Sequence, residues 1–220
     1  MKYLHYTHVD FRTRRSVADF PAKNGPDYPN VPGLQFDFAL ETKYPSNVPS
    51  LYGTCDDTYN HETNPVWGVF ETLTLEQYNE VKNKELEDRK PIVLKQIDAT
   101  RDQLLAAGFP FTFSDGQGTV QTRDKNDMDN IHKNGSASLA LVVKGEGTTM
   151  MQFRDAENVI HTIPATEMLE MTMSAMAHGS EVYKASWTHK DNVNNISSLN
   201  DLVNYSIHSD WPILTPPSGE

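Results

Sequence analysis

The stretch from Leu86 to Arg123 constrains this chain more than any other. Apolar residues at Leu86, Val93, Leu94, Ile97, Leu104 and Leu105 fall on one helical stripe, with Lys95, Gln96, Asp98, Asp102 and Gln103 mainly on the other side. Proline is tolerated in a first turn, so Pro91 predicts that a new helix begins near it. Gly108 stands just past the last periodic residue, where a left-handed stop is expected. The period then changes. Phe109, Phe111 and Phe113 alternate with Pro110 and Thr112, which puts three rings on one face of a short strand. Ser114-Asp-Gly-Gln-Gly118 supplies turn chemistry, and Thr119–Thr122 is the return strand. Water is a poor solvent for that face, so a core must assemble here.

The chain, 220 residues in all, suits one large or two small domains. Aromatic residues at 10% and apolar residues at 37% argue against global disorder. A net charge of −11 argues against nucleic acid as the main partner and against polybasic anchoring to an anionic membrane, because both need a basic face. Arg12-Thr-Arg-Arg15 is too short to reverse that and reads as a solvated basic turn. Cys55 is the single cysteine, so no intrachain disulfide forms. Met1–His8 is polar and strand-like, and no apolar run approaches membrane length. A soluble product made in a cytoplasm is expected, and the Asn-x-Ser matches at Asn134, Asn195 and Asn204 are then chance matches.

Residues 1–73 read as a β-rich, loop-rich docking module. Leu34, Phe36, Phe38 and Leu40 alternate with polar or small residues, and shorter strands are expected at Tyr3–Val9, Ser50–Thr54 and Val66–Phe70. The prolines between them suit edge strands and rigid loops. Thr74-Leu-Glu-Gln77 is a capping box that opens a connecting helix over residues 74–90, whose mixed charges suit a solvated face. Asp124–Asn130 resembles a calcium loop only at first. Met128 holds the fifth position, Asp129 stands where Gly is needed, and the twelfth position is not Glu. A helix N-terminus explains the same acids, with the helix running through Ile131, Gly135, Leu139 and Val142 to Lys144-Gly145.

Thr148–Arg154 and Val159–Ile163 make a second hairpin pattern. A long helix is expected from Pro164 to Ile196, carrying Met168, Leu169, Met171, Met173, Met176, Val182, Tyr183 and Trp187. Methionines in such a helix serve either as adaptable core or as a partner groove. Ser198–Asp201 caps a short last helix, and Trp211–Pro217 reads as an extended tail. The fold class is therefore α+β. The N-terminal β-rich, loop-rich module (residues 1–73) and the connecting helix (74–90) precede a helix/β-hairpin/helix/β-hairpin/long-helix domain (91–196), then a short helix and Pro-rich tail (197–220).

The chemistry-bearing residues form no recognisable constellation. Cys55 and His61 lack a third orienting group. His5 and His8, three apart on a strand, face opposite ways. His132, His161, His178 and His189 are scattered over different elements, and Asp56 and Asp57 sit in a polar loop. G-x-S-x-G, phosphate-cradling and dinucleotide motifs are missing. The reading is of no catalytic, cofactor-binding or metal-ligating residues, with a glycosidase acid pair distant in sequence left open.

From about Leu86 to Ile196, Ile97–Gly108, Asp115-Gly116, Gln121–Asp127, Phe153-Arg-Asp-Ala156 and Ile163–Met168 are similar to a domain of unknown function found in tailed-phage proteins associated with tail fibres or baseplates. Trp67–Tyr78 looks like the lead-ins that precede such domains, and Pro164 departs from the family's usual Thr cap. The resemblance implies a non-enzymatic virion structural protein: a tail-fibre or baseplate adaptor, or a chaperone-like assembly component, without cofactors. Such a protein is made in the bacterial host cytoplasm and sits in the virion tail. Its partner is a tail-fibre or baseplate protein in a hetero-oligomeric assembly, with self-association open and neither nucleic acid nor membrane involved. Phe36, Phe38, Trp67, Met173, Trp187 and Trp211 are the expected contact residues, since aromatic and methionine anchors dominate interfaces. The competing reading is a glycan-binding or glycan-cleaving protein that meets the host receptor. It requires exposed Trp or Tyr beside paired carboxylates in a groove.

Overall fold

The computed structural model describes residues 1–6, 35–36, 51–58 and 70–212. They form a mixed helix and sheet structure whose sheets are small and antiparallel. The chain divides into two compact units, Met1–Pro91 with Ile196–Tyr205, and Ile92–Asn195 with Ser206–Glu220. One helix, α1 (Leu75–Ala107), runs through Pro91 without a break, so the new helix start expected there is not found. Pro91 and Glu87 both face solvent, so water is available to the carbonyl that the proline leaves without a donor.

In the first unit, β1 (Lys2–Tyr6) pairs with β3 (Leu51–Cys55) on one side and β4 (Phe70–Leu73) on the other, and β2 (Gln35–Phe36) adds to β3. The order β2-β3-β1-β4 places the N-terminal strand centrally, with Tyr3 opposite Thr54 and Leu73. Of the strand pattern over Leu34–Leu40, only Gln35 and Phe36 fall within the described residues. The Thr74–Gln77 capping box forms as its sequence predicts. The Gln77 amide donates to Thr74 Oγ1 at 3.1 Å, and the Thr74 amide donates back to Gln77 Oε1 at 2.8 Å. Tyr78, one residue on, is buried and packs its ring 4.9 Å from that of Tyr3. The short helix α4 (Leu199–Val203) starts at Ser198, whose hydroxyl accepts the Asp201 amide.

The second unit is built on two hairpins, β5 (Phe109–Phe113) with β6 (Gly116–Val120), and β7 (Met150–Arg154) with β8 (Ile160–Pro164). Two helices complete it, α2 (Lys125–Val143) and α3 (Ala165–Asn195). Pro164 closes β8, so α3 begins one residue later than its sequence suggests. Gly108 takes the left-handed φ of 74° expected of a helix stop, and the three phenylalanines of β5 all face inward. They join Val120, Ile131, Phe153, Ile163, Met168, Met171 and Ala175 in one core. The helix N-terminus expected at these acids is found, and Asp124 caps it by accepting the amides of Asn126 and Asp127. Gly135 of α2 lies so close to Thr172 of α3 that a Cβ would collide with that side chain, which lets the two helices approach closely.

Candidate functional site

Helix α3 sorts its side chains onto two stripes. At intervals of three and four residues, Met168, Met171, Thr172, Ala175, Val182, Ser186, His189 and Val193 are buried. A neighbouring stripe with the same spacing faces out: Met173 (62% exposed), Met176 (49%), Tyr183 (42%) and Trp187 (61%). The four methionines between residues 168 and 176 are thus divided between core and surface. Tyr183 and Trp187, one turn apart, hold their ring centroids 6.1 Å from each other. The Arg101 guanidinium lies over the Tyr183 ring at 5.5 Å. Arg101 is held by Asp98 (2.6 Å) and Asp102 (2.7 Å), and Lys190 of α3 binds Asp98 at 2.6 Å. The Lys190 hydrogen bond, ahead of the charges around it, draws the Asp98 carboxyl below its ordinary range.

Met173 and Trp187 share this face, about 21 Å apart at 1.5 Å per residue. Trp211 lies beyond α3. It is half-buried, its indole N–H donates to the Ile207 carbonyl at 2.8 Å, and its ring stacks 5.0 Å from that of His189. Phe36 lies in β2, where its side chain is not described, and Phe38 and Trp67 lie outside the described residues. Met176 and Tyr183 belong to the outward stripe although sequence reasoning did not select them. The three-four spacing 173, 176, 180, 183, 187 was the available signal.

A cluster that the sequence concealed joins the two hairpins. His161 on β8, 2% exposed, bonds through Nδ1 to Asp115 Oδ1 (2.6 Å) and through Nε2 to Asp155 Oδ2 (3.1 Å). Its ring lies 3.8 Å from that of Phe113, nearly parallel. Ionised carboxylates only accept, so both bonds form only when both ring nitrogens carry protons. Burial alone would lower the His161 pKa, but hydrogen bonds from the ring to Asp115 and Asp155 outweigh it and raise the value above ordinary histidine. Asp115 is held low by its bond to His161 and by the Thr162 amide at 2.8 Å. Burial pushes Asp155 upward, yet His161 and the Val159 amide (2.7 Å) leave it below the ordinary range. Gly118 makes room, because a Cβ there would strike the Asp155 carboxylate and come within 2.9 Å of His161 Nε2.

The cluster is built to hold rather than to react. Each ring nitrogen is committed to a carboxylate, which leaves no proton-accepting position for a substrate. Cys55 on β3 is buried, and burial first of all pushes its thiol pKa up, away from a nucleophilic thiolate. Its companion in sequence reasoning, His61, lies outside the described residues. Among the described residues, no helix is long and apolar enough to cross a membrane.

The model of a family described as Domain of unknown function (DUF4376) matches residues 88–207, more than half of the chain's 220 residues. No curated protein and no solved structure matches.

Proposed function

The chain belongs to the DUF4376 family, and from that premise we propose that it is a non-enzymatic tailed-phage component, an adaptor or assembly factor that binds a tail-fibre or baseplate protein. The observation that carries the reading is the outward stripe of α3. Met173, Met176, Tyr183 and Trp187 stay exposed on a helix whose other stripe is fully buried. Aromatic side chains cover a large area with only two rotatable bonds, and the flexible, polarisable methionine adapts to irregular surfaces, which is why both anchor interfaces. The Arg101–Tyr183 contact adds a preset orientation to one anchor, so less freedom is lost on binding.

The test is co-purification of the full chain with the tail-fibre or baseplate protein encoded beside it. A stoichiometric complex by size exclusion is expected. The double variant Met173→Ala, Trp187→Ala should weaken it by more than about tenfold, since exposed anchors of this kind each contribute roughly 1 kcal/mol or more. Turnover of host polysaccharide by the chain alone would overturn the reading, as would a complex indifferent to both substitutions.

A further inference from the structure

A cavity of about 530 Å³ opens between the second half of α1, the start of α2 and the middle of α3. Leu105, Met128, Ala175 and Met176 give it an apolar lining, and Thr122, Ser180 and Tyr183 add hydroxyls. Its charged groups are Asp102, Arg123, Asp124 and Lys125, and the His132 imidazole lies beside them. Most of these are already committed. Asp102 holds Arg101, Asp124 caps α2, and Arg123 is bound to Asp127 and Gln121. Lys125 and His132 are different: among the described residues no hydrogen bond or ion pair engages the ammonium or the ring. They lie seven residues apart on α2 with Met128 between them, so all three share one face.

Gly179 supplies an independent observation. It sits in the interior of a 31-residue helix, where glycine is the least favourable residue after proline. Its φ is ordinary, and a Cβ built there meets nothing within 4 Å. Neither backbone conformation nor packing against the described residues calls for glycine at that position, unlike Gly135, which Thr172 confronts. What lies in front of Gly179 is the cavity.

We propose that this cavity receives an apolar or aromatic side chain of a partner polypeptide, with a neighbouring carboxylate of that partner pairing with Lys125 and His132. The inference rests on the adaptor reading and names the chemistry its partner brings. An acidic-aromatic segment suits the site on both counts. The lining takes up apolar surface, Asp102 is paired with Arg101 and Asp124 is engaged by two backbone amides, which leaves the Lys125 ammonium as the charge with no partner among the described residues. Met176 and Tyr183 belong to both the cavity and the outward stripe, so a partner lying along α3 passes over the opening.

The experiment titrates the isotopically labelled full chain with acetyl-Glu-Trp-Glu-amide and, separately, acetyl-Lys-Trp-Lys-amide, following backbone amides by NMR. The acidic peptide should shift amides lining the cavity and bind about tenfold more tightly than the basic one. Gly179→Leu places apolar atoms in the open space and favours the helix, so it should fold at least as well while weakening the acidic peptide by about tenfold or more. Lys125→Glu, acidic in a first helical turn and therefore compatible with folding, should abolish the charge preference. Equal binding of the two peptides, binding undiminished in Gly179→Leu, or no shifts at all would overturn the assignment. Co-purification of the Met173→Ala, Trp187→Ala variant tests the adaptor function separately, so failure of the cavity and failure of the adaptor are told apart.

Discussion

Replacing His161 by leucine tests the account of the hairpin clamp most directly. The substitution removes both ring N–H groups and leaves Asp155, with a side chain 1% exposed, without its cationic partner and still holding the Val159 amide. Stranding one member of a buried ion pair costs about 3–5 kcal/mol, part of which the leucine recovers by its own burial. Asp115 is 39% exposed, so water screens most of what is lost there, and it is left out of the sum. A net loss of roughly 3 kcal/mol lowers Tm by roughly 10 °C for a unit of this size. The loss should depend on pH. The raised His161 pKa means its stabilisation is complete below about 6.5 and disappears as pH rises through the higher folded value. The lowered Asp115 and Asp155 values mean theirs is complete above about 4 and disappears as pH falls through the folded values. The parent should therefore be most stable between about pH 4.5 and 6.5, and the variant should lose that maximum. Urea unfolding followed by circular dichroism at pH 5.5 and pH 9 measures both. Adding Asp155→Asn should restore at least about 1 kcal/mol, because the amide oxygen still accepts from Val159 without carrying charge. The reasoning fails if His161→Leu unfolds within about 0.5 kcal/mol of the parent at pH 5.5, or loses as much at pH 9.

Two further outcomes follow from local geometry. Gly118→Ala drives a methyl group into Asp155 and His161 and should cost about 2 kcal/mol by thermal unfolding, with the pH maximum flattened as the clamp is pushed apart. Thr74→Ala removes the hydroxyl that accepts the Gln77 amide at the start of α1, and should cost about 1 kcal/mol in chemical denaturation while leaving peptide binding at the cavity unchanged.

Much of the fold was legible because its signals are local. The period change at Gly108 marked both the end of α1 and the inward face of β5, since a left-handed residue and an alternation of rings each dictate backbone geometry within a few residues. The Thr74–Gln77 box and the Asp124 cap were equally readable, because their partners lie three residues or fewer away. Pro91 misled for the opposite reason. Helix continuity depends on whether solvent reaches the freed carbonyl, and a residue's exposure is settled by the fold around it. His161 looked like one scattered histidine among several. Its parity with Ile163 on β8 placed it inward, yet parity does not reveal which acids meet it there.

Amino-acid order alone determined the two hairpins and the helices that follow them, the cap of α1, and the presence of an aromatic core, because hydrogen bonds and side-chain periodicity act over a few residues. Tertiary structure decided which methionines of α3 went inside, which face of that helix stays exposed, and that Asp115, Asp155 and His161 meet. Those outcomes depend on the packing of hairpins and helices far apart in sequence, 47 residues in the case of Asp115 and Thr162 and 92 in that of Asp98 and Lys190, where burial and charge are set by neighbours that no local pattern names.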